Sequence, residues 1–115
     1  MIQTYPHEFF EIIIADGNSS DETREIAEKC LKNSDIAYTI INEKDQPNTD
    51  GGCSYGHSFA RNMIIDNAAS RSEYIAWIDA DCRADSEWLI SLVEMMEDNR
   101  DPQVVGAGGR RIVED

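Results

Sequence analysis

The residues of this sequence best suited to chemistry are two acidic turns. Asp16 and Asp21 flank Gly17-Asn18-Ser19-Ser20, and Asp79 and Asp81 bracket Ala80. Carboxylates gathered at one place repel and raise one another's pKa unless a cation or a hydrogen-bond donor compensates, so an oxygen-ligated Mg²⁺ or Mn²⁺ is a natural occupant. Such an ion also bridges to a diphosphate. Taken singly, each aspartate has an ordinary reading as a turn former or helix cap. Arg61, near the start of a predicted helix whose N-terminus favours anions, is a candidate partner for a phosphate or a base. Its ordinary reading is a solvated arginine, and the same holds more strongly for Arg110-Arg111.

The elements that must position these groups follow from apolar periodicity. Phe9 to Ala15 is a nearly continuous β-branched run, expected as a central strand buried on both faces. Ser19 and Glu22 have capping-box spacing, and a helix is expected from Asp21 to Lys32 with Ile26, Ala27, Cys30 and Leu31 on its sheet-facing side. A second strand is expected from Ile36 to Ile41, followed by an irregular, mobile stretch from Asn42 to Gly56. A helix from His57 to Ser70 turns Phe59, Ala60, Met63, Ile64 and Ala68 inward. Glu73 to Ile78 reads as a third strand and Gln103 to Ala107 as a last one. Between them a helix from Ser86 to Glu97 turns Trp88, Leu89, Leu92, Val93 and Met96 inward. Alternating strands and helices predict an α/β fold, a mostly parallel sheet flanked by helices, with both acidic turns at the carboxyl edge where open sheets bind ligands.

Composition narrows the partners. The 115 residues carry 10 Lys and Arg against 23 Asp and Glu, a net charge of −13, so nucleic acid is not an expected partner and a phosphorylated ligand needs a metal or local basic residues. No apolar run approaches the ~20 residues of a membrane-spanning helix, and the start has no signal-peptide pattern, so a soluble, cytoplasmic chain is expected. Three cysteines, none in a CxxC pair, predict reduced thiols. Cys53 and His57 are ligand-like in spacing but lack an obvious second pair for zinc. The acidic turns fail the EF-hand pattern, since Arg83 and Ala84 stand where a ligand and the turn glycine are needed. Gly51 to Gly56 lacks the Lys-Ser/Thr end of a phosphate loop.

Three segments taken together, Glu11 to Asp21, Ala60-Arg61-Asn62 and Glu73 to Asp81, resemble the family 2 glycosyltransferases in order, type and spacing, over roughly Phe9 to Val113. The resemblance implies a GT-A nucleotide-sugar-binding fold, with residues 1–115 as a single partial domain, and transfer of a sugar from a nucleotide diphosphate donor, most often a UDP-sugar, with inversion. It implies that Asp16 hydrogen-bonds the nucleotide base and that Arg61 lies near base and phosphates. Asp79 and Asp81 look like the Asp-x-Asp pair, Asp79 towards the ribose and Asp81 on a divalent metal. Gly17 stands where many relatives have a second aspartate, which leaves more of the base recognition to Asp16.

Two departures from the family pattern shape the remaining expectations. The family's opening strand has no counterpart in Met1 to Glu8, and its general base is expected beyond Asp115. The chain is therefore read as truncated at both ends and not expected to complete transfer alone, with self-association expected through an exposed sheet edge. The competing reading is a non-catalytic nucleotide- or metal-binding or interaction module. A nucleotidyltransferase is disfavoured by the lack of a glycine-rich, lysine-bearing opening motif. Donor sugar and acceptor are not legible, and full-length relatives often work at the cytoplasmic face of a membrane.

Overall fold

The computed structural model of the chain describes residues 3–43, 57–98, 101 and 103–109. Two compact units divide it, one formed by His7–Ile75 and the other by Met1–Pro6 with Ala76–Asp115.

In the first unit a 3-10 turn, His7–Phe9, leads into strand β1, Glu11–Asp16. Helix α1, Thr23–Lys32, then carries the chain to strand β2, Ala37–Asn42, and helix α2 spans His57–Asn67. The β-branched run Ile12-Ile13-Ile14 favours the pleated conformation because branching at Cβ restricts χ1. β1 and β2 pair in parallel, with register from Glu11 opposite Ala37 to Asp16 opposite Asn42. A parallel pair cannot close through a hairpin, and α1 supplies the crossover. Both strands therefore end at the same edge, with Asp16 beside Asn42.

Helix α1 stops where three groups take up its orphan carbonyls. Asn33 Nδ2 donates to the Lys29 carbonyl at 2.9 Å, while Ser34 gives its amide at 2.9 Å and its hydroxyl at 2.7 Å to the Leu31 carbonyl. Lys29 and Lys32 in the last turn complement the negative end of the helix dipole. Helix α2 is tied to β1 by Glu11, whose Oε1 accepts the Ala69 amide at 2.7 Å. The buried apolar side chains among the described residues are Ile36, Ile41 and Met63, all in this unit.

Helices α1 and α2 and strands β1 and β2 lie within a few residues of their expected positions, and the inward set of α2 is half-buried or buried as expected. Several expectations are corrected. Phe9 is in the 3-10 turn and 66% exposed, and β1 is half-buried rather than enclosed on both faces. On α1, Ile26 and Cys30 are exposed while Ala27 and Leu31 are half-buried. The reason is the width of the sheet among the described residues, since two paired strands cannot cover the full apolar stripe of a helix. The capping box is not formed: Glu22 makes no side-chain cap bond, and the Ser19 hydroxyl donates to Asp16 instead. A buried carboxylate is a more demanding acceptor than a helix amide that water can reach. Glu43, which follows β2, is buried, and the rest of the expected loop, residues 44–56, lies outside the described residues, as do Cys53 and Arg110-Arg111.

The expected strands Glu73 to Ile78 and Gln103 to Ala107 are absent, and neither segment pairs in a ladder. An apolar β-branched run supplies the burial half of a strand, but the ladder needs a neighbour's amides and carbonyls. Here Tyr74, Ile75, Trp77 and Ile78 remain 41–43% exposed.

The second unit is built around helix α3, Trp88–Asp98. Trp88, Leu89, Leu92, Val93 and Met96, the expected inward set, are all half-buried, whereas Glu94, Met95 and Glu97 are exposed. Asp85 caps the helix, accepting the Glu87 amide on Oδ1 at 2.9 Å and the Trp88 amide on its carbonyl at 3.1 Å.

One ionic contact in the first unit has a pH consequence. His7 Nδ1 bonds the Asp35 carboxylate and lies edge-on to Phe10 with ring centroids 5.6 Å apart, fastening the 3-10 turn to the α1–β2 connection. The hydrogen bond from His7 holds the Asp35 carboxyl below its ordinary value of 3.8. A depressed folded-state pKa contributes stability that is present above the unfolded value and lost as pH falls through the folded one. Asp35→Asn is therefore expected to flatten the acid limb of the stability curve below pH 3.8, measured by urea unfolding across that range. An acid limb identical to wild type rules the contact out as a contributor.

Candidate functional site

The turn that follows β1 is organised by Asp16. This carboxylate is 7% exposed, and its two oxygens each accept the Ser19 amide at 3.3 Å while Oδ1 also takes the Ser19 hydroxyl. Asn18, at φ 65°, occupies the left-handed region that Asn tolerates better than most residues. Gly17 is not forced by space, since a Cβ there would meet no atom within 4 Å. Asp21 is exposed and spends Oδ1 on the Thr23 amide at 3.0 Å, starting α1. Hydrogen bonds from the Thr23 side chain and amide hold its carboxyl below the ordinary value. Arg61 lies on an exposed face of α2. Asp16, Asp21 and Arg61 all belong to the His7–Ile75 unit.

Asp79 and Asp81 belong to the other unit, in a tight turn closed by the Cys82 amide donating to the Asp79 carbonyl at 2.9 Å. This turn gathers one ligand atom each from Asp79, Asp81 and Cys82 within 4.8 Å of one another, all on exposed residues. Two carboxylate oxygens are the hard donors that Mg²⁺ and Mn²⁺ take, so the pair fits such an ion with the remaining positions left to water or phosphate oxygens. The Cys82 thiol is a softer group. Its Sγ lies 3.5 Å from Asp81 Oδ1, where it donates a weak hydrogen bond and restrains the carboxylate.

Three participants escaped sequence reasoning. Cys82 adjoins Asp81, and its neighbourhood to Asp79 requires the turn. Ser19 has the right type but the wrong predicted partner. Asp85 carries a readable signal, an Asp three residues before the first residue of an amphipathic helix.

The chain matches the model of glycosyl transferase family 2 over residues 2–115, which include Asp16, Asp21, Arg61, Asp79 and Asp81. It is similar to the "Glycosyltransferase AglE" of Haloferax volcanii, 31% identical over 87 residues that cover 76% of this chain and 25% of the relative. It is also similar to an "Uncharacterized glycosyltransferase" of Rickettsia felis, 32% identical over 99 residues, 86% of this chain and 14% of the relative. The chain thus spans a quarter or less of the length of these relatives. No solved structure matches it significantly. The family match runs through the parallel strand pair, the buried aspartate at its edge and the Asp79–Cys82 turn alike, and this α/β chain belongs to glycosyl transferase family 2.

Proposed function

We propose that this chain supplies the donor-binding part of a glycosyl transfer. It holds a nucleotide-diphosphate sugar, a UDP-sugar, through a divalent Mn²⁺ or Mg²⁺ for inverting transfer to an acceptor hydroxyl. The observation that carries this reading is the exposed turn in which the ligand atoms of Asp79, Asp81 and Cys82 converge within 4.8 Å. Asp81 would hold the metal with Asp79 as a second oxygen donor, and Asp79 would also serve the ribose. Asp16 accepts a hydrogen bond from the base with the lone pairs that Ser19 leaves available, and a carboxylate offers about four lone-pair sites in all. Asp21 fixes the start of α1 behind that turn, and Arg61 pairs with the base and phosphates. The bound metal would supply Lewis-acid neutralisation of charge developing on the departing diphosphate. For a chain of charge −13, an ion at this turn is also what lets an anionic donor approach.

Calorimetric titration of UDP into the chain, with GDP as comparison, tests the reading. Saturable UDP heat in Mn²⁺ that vanishes in excess chelator is expected. Equal binding with and without chelator, or no binding by folded protein, overturns it.

Two further parts of the reading concern context. Among the described residues β1 and β2 pair only with each other, and we extend the reading to self-association through an outer edge of this pair. Light scattering is expected to give a mass above the 13.0 kDa of one chain, rising with concentration; a constant monomer mass refutes it. Cys30 and Cys82 are exposed and outside any disulfide, which supports a reducing, cytoplasmic setting. Among the described residues no helix is long and apolar enough to cross a membrane.

A further inference from the structure

Among the described residues Gln3 is one of the few buried polar ones, 7% exposed, and its partners lie 82 and 86 residues away in the sequence. Its Nε2 donates to the Asp85 carbonyl at 2.7 Å, and its Oε1 accepts the Leu89 amide at 3.0 Å. Thr4 reinforces this, giving its amide at 2.9 Å and its hydroxyl at 3.2 Å to the Ser86 carbonyl. The Leu89 amide is among the first amides of α3, which have no acceptor inside the helix. One planar amide, donor and acceptor at once, thus joins the helix start to the loop that enters it.

We propose that Gln3 is a positioning residue for the Asp79–Asp81 turn. Only Arg83 and Ala84 separate Cys82, whose amide closes that turn, from Asp85, which Gln3 holds. Fixing the exit of so short a connection removes conformational freedom from the turn before any ligand arrives, so less ordering is left to oppose binding. Asp85 serves this better than a freely capping residue, because its carboxylate and carbonyl already hold Glu87 and Trp88 while Gln3 holds the same carbonyl from outside the helix. The inference rests on the reading of this turn as the place of the metal and diphosphate. A residue that merely stabilised α3 would give the same hydrogen bonds but would leave the turn untouched when lost.

The test uses the full chain with Gln3→Glu and Gln3→Leu. Glu keeps the acceptor for Leu89 and loses the donor to Asp85, and it remains informative where the leucine variant does not fold. In Gln3→Glu the Cys82 amide is expected to exchange about tenfold faster, as for the loss of one hydrogen bond's constraint, while amides of the β1–β2 ladder keep wild-type rates. Mn²⁺ affinity, read by titration of the metal alone, is expected to fall by up to about tenfold, because freedom returned to the turn must be removed again on binding. An unchanged Cys82 rate, or faster exchange spread evenly through the chain, overturns the proposal. Should wild type take up no Mn²⁺, the metal reading fails, and the Cys82 exchange rate still decides whether Gln3 positions the turn.

Discussion

Asp81→Ala is expected to abolish the metal-dependent part of UDP binding, an affinity loss of at least ~100-fold, and to leave the fold intact. The two halves of this expectation have different causes. Removing a carboxylate that directly holds an ion costs more than removing an outer-shell partner, which itself costs roughly 10–100-fold. Asp79 with water cannot replace it without losing a charge against a divalent cation. Stability is expected to change by less than ~0.5 kcal/mol, because Asp81 is exposed and takes a weak bond from Cys82 Sγ at 3.5 Å. Calorimetry in Mn²⁺ and in chelator, beside a urea unfolding curve of the same sample, separates the two. A variant that binds UDP as wild type does in Mn²⁺ removes Asp81 from the site. A variant that loses binding together with several kcal/mol of stability shows that the loss came from unfolding.

Asp16→Ala is expected to cost about 2 kcal/mol of stability and to weaken UDP binding in Mn²⁺ while leaving the uptake of Mn²⁺ alone unchanged. The Asp16 carboxylate is buried and closes the turn after β1 through both the amide and the hydroxyl of Ser19. Hydrogen bonds to a charged acceptor contribute about 1.5–3 kcal/mol, and their loss leaves the left-handed Asn18 without the contacts that hold it there. Asp16→Asn keeps an oxygen for the Ser19 amide and is expected to recover about half the stability, without restoring an anionic acceptor for the base. Urea unfolding with unchanged m-value measures the first effect. An alanine variant within ~0.3 kcal/mol of wild type shows that the Ser19 contacts do not hold the turn. The contrast with Asp81 is one of burial: one aspartate organises the fold it sits in, and the other is free to serve a ligand.

This contrast explains why the two acidic turns were unequally legible in the sequence. The Asp79-Ala80-Asp81 spacing places two carboxylates in one turn whatever surrounds them, so their proximity follows from local geometry. The role of Asp16 depends on a bond to Ser19 that competes with helix capping, and spacing rules favour the cap. Burial of Asp16 reverses that choice, and burial is a property of neighbours. Gly17 shows the reverse case: a Cβ there would meet no atom within 4 Å, so space does not select the glycine.

Local pattern was sufficient for the helices α1, α2 and α3, for the strands β1 and β2 and for the inward faces of α2 and α3. Periodicity and β-branching act over a few residues and need no distant partner. They were insufficient for Glu73 to Ile78 and Gln103 to Ala107, because a strand exists only through the ladder it shares. They were equally insufficient for the exposure of Ile26, which depends on how many strands lie beneath α1. The hold of Gln3 on Asp85 and Leu89 lies furthest from the reach of sequence. A contact across more than eighty residues leaves no trace in spacing or composition, since what selects it is the requirement that the buried Gln3 amide find partners once folding has brought it beside Asp85 and Leu89.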